Sequence, residues 1–178
     1  MSAAGKAFEK SIKDAEELLL RFDKENSTTS NVSSEVLKRA GMVIAMAAWE
    51  TYIKERFKEE ITSLLVSVNG SLLGNFVQRR VEEDLKRFFN PNTDRIKQLF
   101  KNYFEIDMPS HWVWDNYQAC QAKKVLNELI SKRGDAAHVA NTSPFSAHIV
   151  KRDELDKAIR FLKGLVKATE KVVIVKNN

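Results

Sequence analysis

Apolar side chains recur at intervals of four and three along most of this chain, the spacing that lines one face of an α-helix. Phe8, Ile12, Ala15, Leu19 and Phe22 form the first such stripe and predict a helix over residues 4–25. A stretch rich in Ser, Thr and Asn follows at 26–34 and reads as a loop ending in a helix cap. The next helix is predicted over 34–68. Its first half is unusual, because residues 40–49 carry no charge and must be covered on most sides. Ala40, Gly41, Ala45, Ala47 and Ala48 are small enough to let a neighbouring helix come close. Beyond them the pattern becomes one-sided, with Ile53, Phe57, Ile61, Leu64, Leu65 and Val68 directed inward.

Asn69-Gly70-Ser71 reads as a turn. Val77, Val81, Leu85 and Phe88 mark a third helix, stopped at Asn90-Pro91. Thr93 is placed to cap a fourth helix, whose inner face is Ile96, Leu99, Phe100, Tyr103 and Phe104. Residues 105–116 form an irregular, aromatic connection with Pro109, His111, Trp112 and Trp114. A fifth helix is predicted over 117–131, with Ala122, Leu126, Leu129 and Ile130 inward. Gly134 weakens helical continuity there, leaving a short turn or helix for 135–139. A loop around Ser143-Pro144 covers 141–149. The last helix spans 153–168 or more and buries Leu155, Ala158, Ile159, Leu162, Leu165 and Val166. The β-branched tail at 172–175 suits a strand or a frayed helix equally. With no repeat and no linker, the expected fold is all-α: one helical bundle of five to seven helices, a single domain over residues 1–178.

Composition agrees with that expectation. The 178 residues hold 6 Gly and 3 Pro, too few turn-formers for a β-sandwich or barrel. Hydrophobic residues at 43% and charged residues at 30% describe a globular chain and not a disordered one. Cys120 is the single cysteine, which excludes a disulfide framework and a multi-thiolate zinc site. The uncharged run at 40–49 is about half the length of a membrane span. The first thirty residues mix acids with bases, unlike a signal peptide. A cytoplasmic protein with no membrane association is therefore expected. The 29 basic and 24 acidic residues leave a net charge of +5, which permits a nucleic acid partner without requiring one.

Few residues are equipped for chemistry. There is no Gly-rich phosphate loop and no His-Glu-x-x-His pair. His111, His138 and His148 have no partner at ligand spacing, so neither a metal nor another cofactor is expected. Cys120 lies on an amphipathic helix and reads as a buried, inert thiol. Trp112 and Trp114 could stack on bases, although a loop pinned to the core by two indoles is the plainer reading. One segment stands apart: Lys132-Arg133-Gly134-Asp135-Ala136-Ala137-His138. An imidazole takes or gives a proton near neutral pH, and a guanidinium neutralises charge that builds on a phosphorane. These two groups suffice for RNA cleavage in which the 2′-hydroxyl attacks its own phosphate. The competing reading makes Arg133 a solvated cation favoured by the helix dipole, with His138 packed after two alanines. Five residues of ideal helix turn a side chain by about 140° and advance it by about 7.5 Å. The pair shares a face only if the helix breaks at Gly134, or if a twofold dimer brings two copies together.

The Arg133-to-His138 spacing near the end of a helical bundle resembles the signature of the HEPN superfamily. The apolar helix over 40–54, running through Trp49-Glu50-Thr51-Tyr52 into a basic amphipathic continuation, is similar to the second long helix of RiboL-PSP-HEPN and MAE-type HEPN proteins. The resemblance covers most of the chain. It implies a metal-independent endoribonuclease acting as a homodimer, often as the toxin of a toxin–antitoxin pair or within a defence system, with RNA and an antitoxin protein as partners. Carried over by residue, Arg133 and His138 are the catalytic candidates, and Lys132 and Asp135 the candidates for substrate binding. The position after the Arg, commonly polar in such domains, is Gly134 here, and Asp135 is the candidate to supply the polar group. Some HEPN domains bind RNA, nucleotides or a partner protein without cutting, and that alternative stands beside cleavage. Glu50 could reach across the site, but an ordinary helix salt bridge is the plainer reading.

Overall fold

The computed structural model describes residues 1–26, 34–138 and 149–172. Among these, six α-helices carry the architecture: α1 (Ala3–Asn26), α2 (Ser34–Leu65), α3 (Leu72–Lys86), α4 (Thr93–Phe104), α5 (Ala119–His138) and α6 (Arg152–Glu170). Short 3-10 turns follow α2 (Val66–Val68) and α4 (Met108–His111). The expected all-α bundle is thus what the chain forms. Residues 27–33 of the loop placed at 26–34, residues 141–148 of the loop placed at 141–149, His148 among them, and the tail beyond Val172 lie outside the described residues. No described helix is long and apolar enough to cross a membrane.

The stripe of α1 is buried at every expected position, and so is that of α6. Ala4 N–H donates to Glu59 at 2.7 Å, the Phe8 ring meets Tyr52, and Phe22 lies under the Lys38 ammonium, so α1 and α2 run antiparallel. Helix α6 closes on both. Gly41 is what permits this on α2, since a Cβ there would stand 2.7 Å from the Leu155 side chain. Trp49 and Trp112 cross edge to face at 6.0 Å in the centre. Phe57 gathers Phe100, Tyr103 and Phe104 at one end. Of these, Phe57 and Phe100 are fully buried, and each stabilises the fold by about 1.5–3 kcal/mol.

Two polar clusters lie within this packing. Glu35 and Lys38, both buried, pair at 3.3 Å, and Glu35 also accepts the backbone N–H groups of Ile149 and Val150 ahead of α6. At the other end of α6, Glu170 accepts from Ser2 N–H, Ser2 Oγ and Tyr52 Oη, and faces Arg56 at 3.6 Å.

The structure corrects several expectations. Helix α2 stops at Leu65, and Leu64 is exposed, because the turn into α3 leaves no element to cover it. The cap of α4 is Asn92, whose Oδ1 accepts from Arg95 N–H. Thr93 begins the helix, and its buried hydroxyl accepts from Asn127. Helix α3 buries only Gly74 and Val81 and leaves Leu72, Leu73 and Phe76 outside. Helix α5 does not break at Gly134. One glycine costs about 1 kcal/mol in a helix interior, and burial of Ala136 and a bond from Lys132 to Glu154 hold the turn on either side.

Candidate functional site

The segment 132–138 forms the last two turns of α5. Lys132 is half-buried and reaches Glu154 on α6 at 3.2 Å. Burial alone would raise the Glu154 carboxyl, but hydrogen bonds from Lys151 N–H and Lys132 outweigh it and hold the group below its ordinary pKa. Arg133 points the other way, and its guanidinium donates to Asn90 Oδ1 at 3.0 Å. Asn90 adopts a left-handed backbone, φ 48°, which Asn tolerates better than most residues. Asp135 and His138 are exposed in the last turn of the helix.

Because α5 is unbroken, Arg133 and His138 remain about 140° and about 7.5 Å apart along it. The break at Gly134 that would have joined them is absent, and a Cβ at Gly134 would meet nothing within 4 Å. A single copy of the chain therefore offers the guanidinium and the imidazole on different faces of one helix end.

Two residues beside the motif escaped the sequence reading. Arg39 on α2 donates from Nε to the Ala136 carbonyl at 2.8 Å, and so ties the turn that carries His138 to α2. Asn90 holds Arg133. Both contacts join residues far apart in sequence, and nothing local announces them. Next to Asn90, the exposed Phe89 ring lies 5.2 Å from the Lys54 ammonium, and Lys54 in turn pairs with Glu50 at 2.8 Å. Glu50 is thus in the ordinary helix salt bridge.

The uncharged run of α2 is covered less completely than expected. Met42, Ala45, Met46, Ala48 and Trp49 are buried, while Ala47 is exposed and Val43 and Ile44 are half-covered, because among the described residues α6 and α1 leave one side of α2 open. Val36, Ala40, Val43 and Ile44 with Ala136 and Ala137 line an apolar groove of about 440 Å³ directly beside the motif.

The other candidates fall away from this end. Trp112 is buried in the core, as the plainer reading held. Trp114 is only half-buried, against Tyr117 and Phe161. Cys120 is exposed and not buried, because it lies in the first turn of α5, where Ala122 and Leu126 take the inward face.

Comparison with known proteins adds one finding. The sequence model of the RiboL-PSP-HEPN family matches residues 9–174, nearly the whole chain. No curated protein and no solved structure matches. The helical bundle, the Arg-x4-His segment at the end of α5 and this match over residues 9–174 lead to one assignment: the chain belongs to the RiboL-PSP-HEPN family.

Proposed function

We propose that this chain is a metal-independent endoribonuclease whose working site is built from two copies of the Arg133–His138 segment. The observation that carries the reading is the exposed His138 and the half-buried Arg133 in the last two turns of α5, flanked by an apolar strip on α2 that no described element covers. A second copy set against that strip covers it and brings a second imidazole to the cleft. Two imidazoles suit the chemistry. The bond from the 2′-oxygen to phosphorus forms as the bond from phosphorus to the 5′-oxygen breaks. One His138 accepts the 2′-hydroxyl proton, and the other donates a proton to the departing 5′-oxygen. Arg133 stabilises the charge on the phosphorane, and Lys132 and Asp135 border the strand. In the cell this chemistry fits the toxin of a toxin–antitoxin pair or a defence component, restrained by an antitoxin protein.

An end-labelled RNA incubated with and without EDTA tests the proposal. The expected products carry a 2′,3′-cyclic phosphate and a 5′-hydroxyl, chelator has no effect, and DNA is inert because it lacks the nucleophile. Arg133→Ala lowers the rate by about 10²- to 10³-fold, and Arg133→Lys restores part of it. A 5′-phosphate product, or loss of activity in EDTA, sinks the mechanism.

A second reading has its own support. The unbroken helix keeps the pair on different faces, and Gly134 stands where a polar side chain is common in such domains. These favour a module that binds RNA without cutting it. Binding by wild type with no cleavage of any RNA, in a preparation shown to be dimeric, decides for it.

A further inference from the structure

A second groove lies away from the motif, between the start of α5 and the middle of α6. It encloses about 640 Å³, and its walls include Trp114, Tyr117, Lys124, Glu128, Lys157 and Arg160. The floor is aromatic and firmly built. Trp114 and Tyr117 exchange backbone hydrogen bonds of 3.1 and 2.8 Å across a tight reversal, and their ring centroids stand 4.8 Å apart. Both rings lean on the buried Phe161, at 5.6 and 5.2 Å. Gly164 lets the indole lie flat on α6, since a Cβ there would come within 2.7 Å of Trp114 Nε1. The rim is cationic. Arg160 is held by Asp156, and Lys124 stands 4.0 Å from Glu128. Lys157 is exposed and forms no ion pair among the described residues. Three cations against two acids leave the rim positive.

Half-buried aromatic faces beside long cationic side chains are what single-stranded nucleic acid uses: bases stack and phosphates pair. The groove also lines up with the motif. Lys124, Ser131 and His138 are seven residues apart and share the solvent face of α5. The 14 residues from Lys124 to His138 span about 21 Å at about 1.5 Å per residue.

We propose that this groove is an anchoring subsite for single-stranded RNA: a base stacks on the Trp114–Tyr117 floor, its phosphates meet Lys124 and Lys157, and the strand follows the α5 face towards His138. The link to His138 rests on the ribonuclease reading, whereas the anchoring itself does not. A free nucleotide offers the groove the same base and phosphate, so the test has to separate the two.

Tryptophan fluorescence provides the readout, because Trp49 and Trp112 are fully buried and Trp114 alone faces the groove. AMP and an RNA oligomer of about 12 nucleotides, within the range of single-strand site sizes, are titrated into the His138→Ala protein so that the strand is not consumed. The oligomer is expected to quench, and the double charge reversal Lys124→Glu/Lys157→Glu to weaken its binding by about tenfold. In wild-type cleavage assays the same reversal raises KM for the oligomer, leaves kcat unchanged, and leaves KM for a dinucleotide, too short to span the distance, unaltered. Equal oligomer affinity with and without the reversal overturns the proposal. So does AMP binding as tightly as the oligomer, which would make the groove a free-nucleotide site. Quenching that the reversal weakens, in a protein that cuts no RNA, upholds the anchor and removes the cleavage reading instead.

Discussion

Replacing Glu35 by Gln strips the anion from a buried lysine. The Lys38 and Glu35 side chains are only 4% and 7% exposed, and their charged atoms stand 3.3 Å apart. At that distance, and an effective dielectric of about 20, the attraction is about 5 kcal/mol. The amide keeps one oxygen for the Ile149 and Val150 N–H groups, while Lys38 loses its anion. Among the described residues its remaining support is the Phe22 ring, 4.7 Å from the ammonium. Removing one member of a buried pair costs about 3–5 kcal/mol, a large share of a typical stability of about 5–15 kcal/mol. For a chain of this length each kcal/mol moves Tm by about 2–4 °C, so Glu35→Gln is expected to lower Tm by about 6–20 °C. Thermal unfolding followed by far-UV circular dichroism measures it. The double variant Glu35→Gln/Lys38→Met removes both charges while keeping an oxygen for the two N–H groups, and is expected to recover most of the loss. A single variant within about 2 °C of the parent, or a double variant no better than the single, refutes the reasoning.

Two further outcomes follow from the polar contacts. Burial alone would raise the Glu170 carboxyl, but the Ser2 and Tyr52 hydrogen bonds and the Arg56 charge prevail and hold its pKa below the ordinary 4.5. Its folded value lies under its unfolded one, so its stabilisation is complete above about pH 4.5 and is lost as pH falls through the folded value. Glu170→Gln should therefore be less stable than the parent at neutral pH and lose less on acidification, and parallel stability curves from pH 7 to 3 would contradict this. At Asn90, Gly keeps the φ of 48° free of strain and releases Arg133, whereas Ala adds a left-handed penalty of about 1–2 kcal/mol. Asn90→Gly is expected to hold Tm while lowering kcat/KM for RNA, and unchanged kcat/KM would show that Arg133 needs no such restraint.

The parts of the fold that depend on one helix meeting a large apolar surface were legible from spacing. Phe8 through Phe22 and Leu155 through Val166 are buried as their intervals require, because a stripe has one way to face the core. The misplaced positions sit where local preference is weak against tertiary contact. Gly134 is an unfavourable helix residue, yet the buried Ala136 and the Lys132–Glu154 pair carry α5 through it. Leu64 has the correct period but nothing opposite to cover it. The candidate site shows the same division. Arg133 and His138 were visible as residue types at a spacing, whereas Arg39 and Asn90, which restrain that segment, come from α2 and from the turn after α3. Only the fold brings those partners together.

The position of the motif on its helix has an electrostatic consequence. Proteins commonly cradle phosphate at a helix N-terminus, where free N–H groups and the positive end of the dipole do the holding. Arg133 and His138 occupy the opposite end of α5, where carbonyls point outward and the backbone repels an anion. Arg39 already takes one of those carbonyls, Ala136, and so softens the repulsion. A phosphate arriving there would find no backbone cradle and would be drawn by side chains alone. Attraction of that kind fades within about 8 Å at physiological ionic strength. On the proposed function, selection among polyanions at this end would fall to the fit of side chains and not to a backbone cradle.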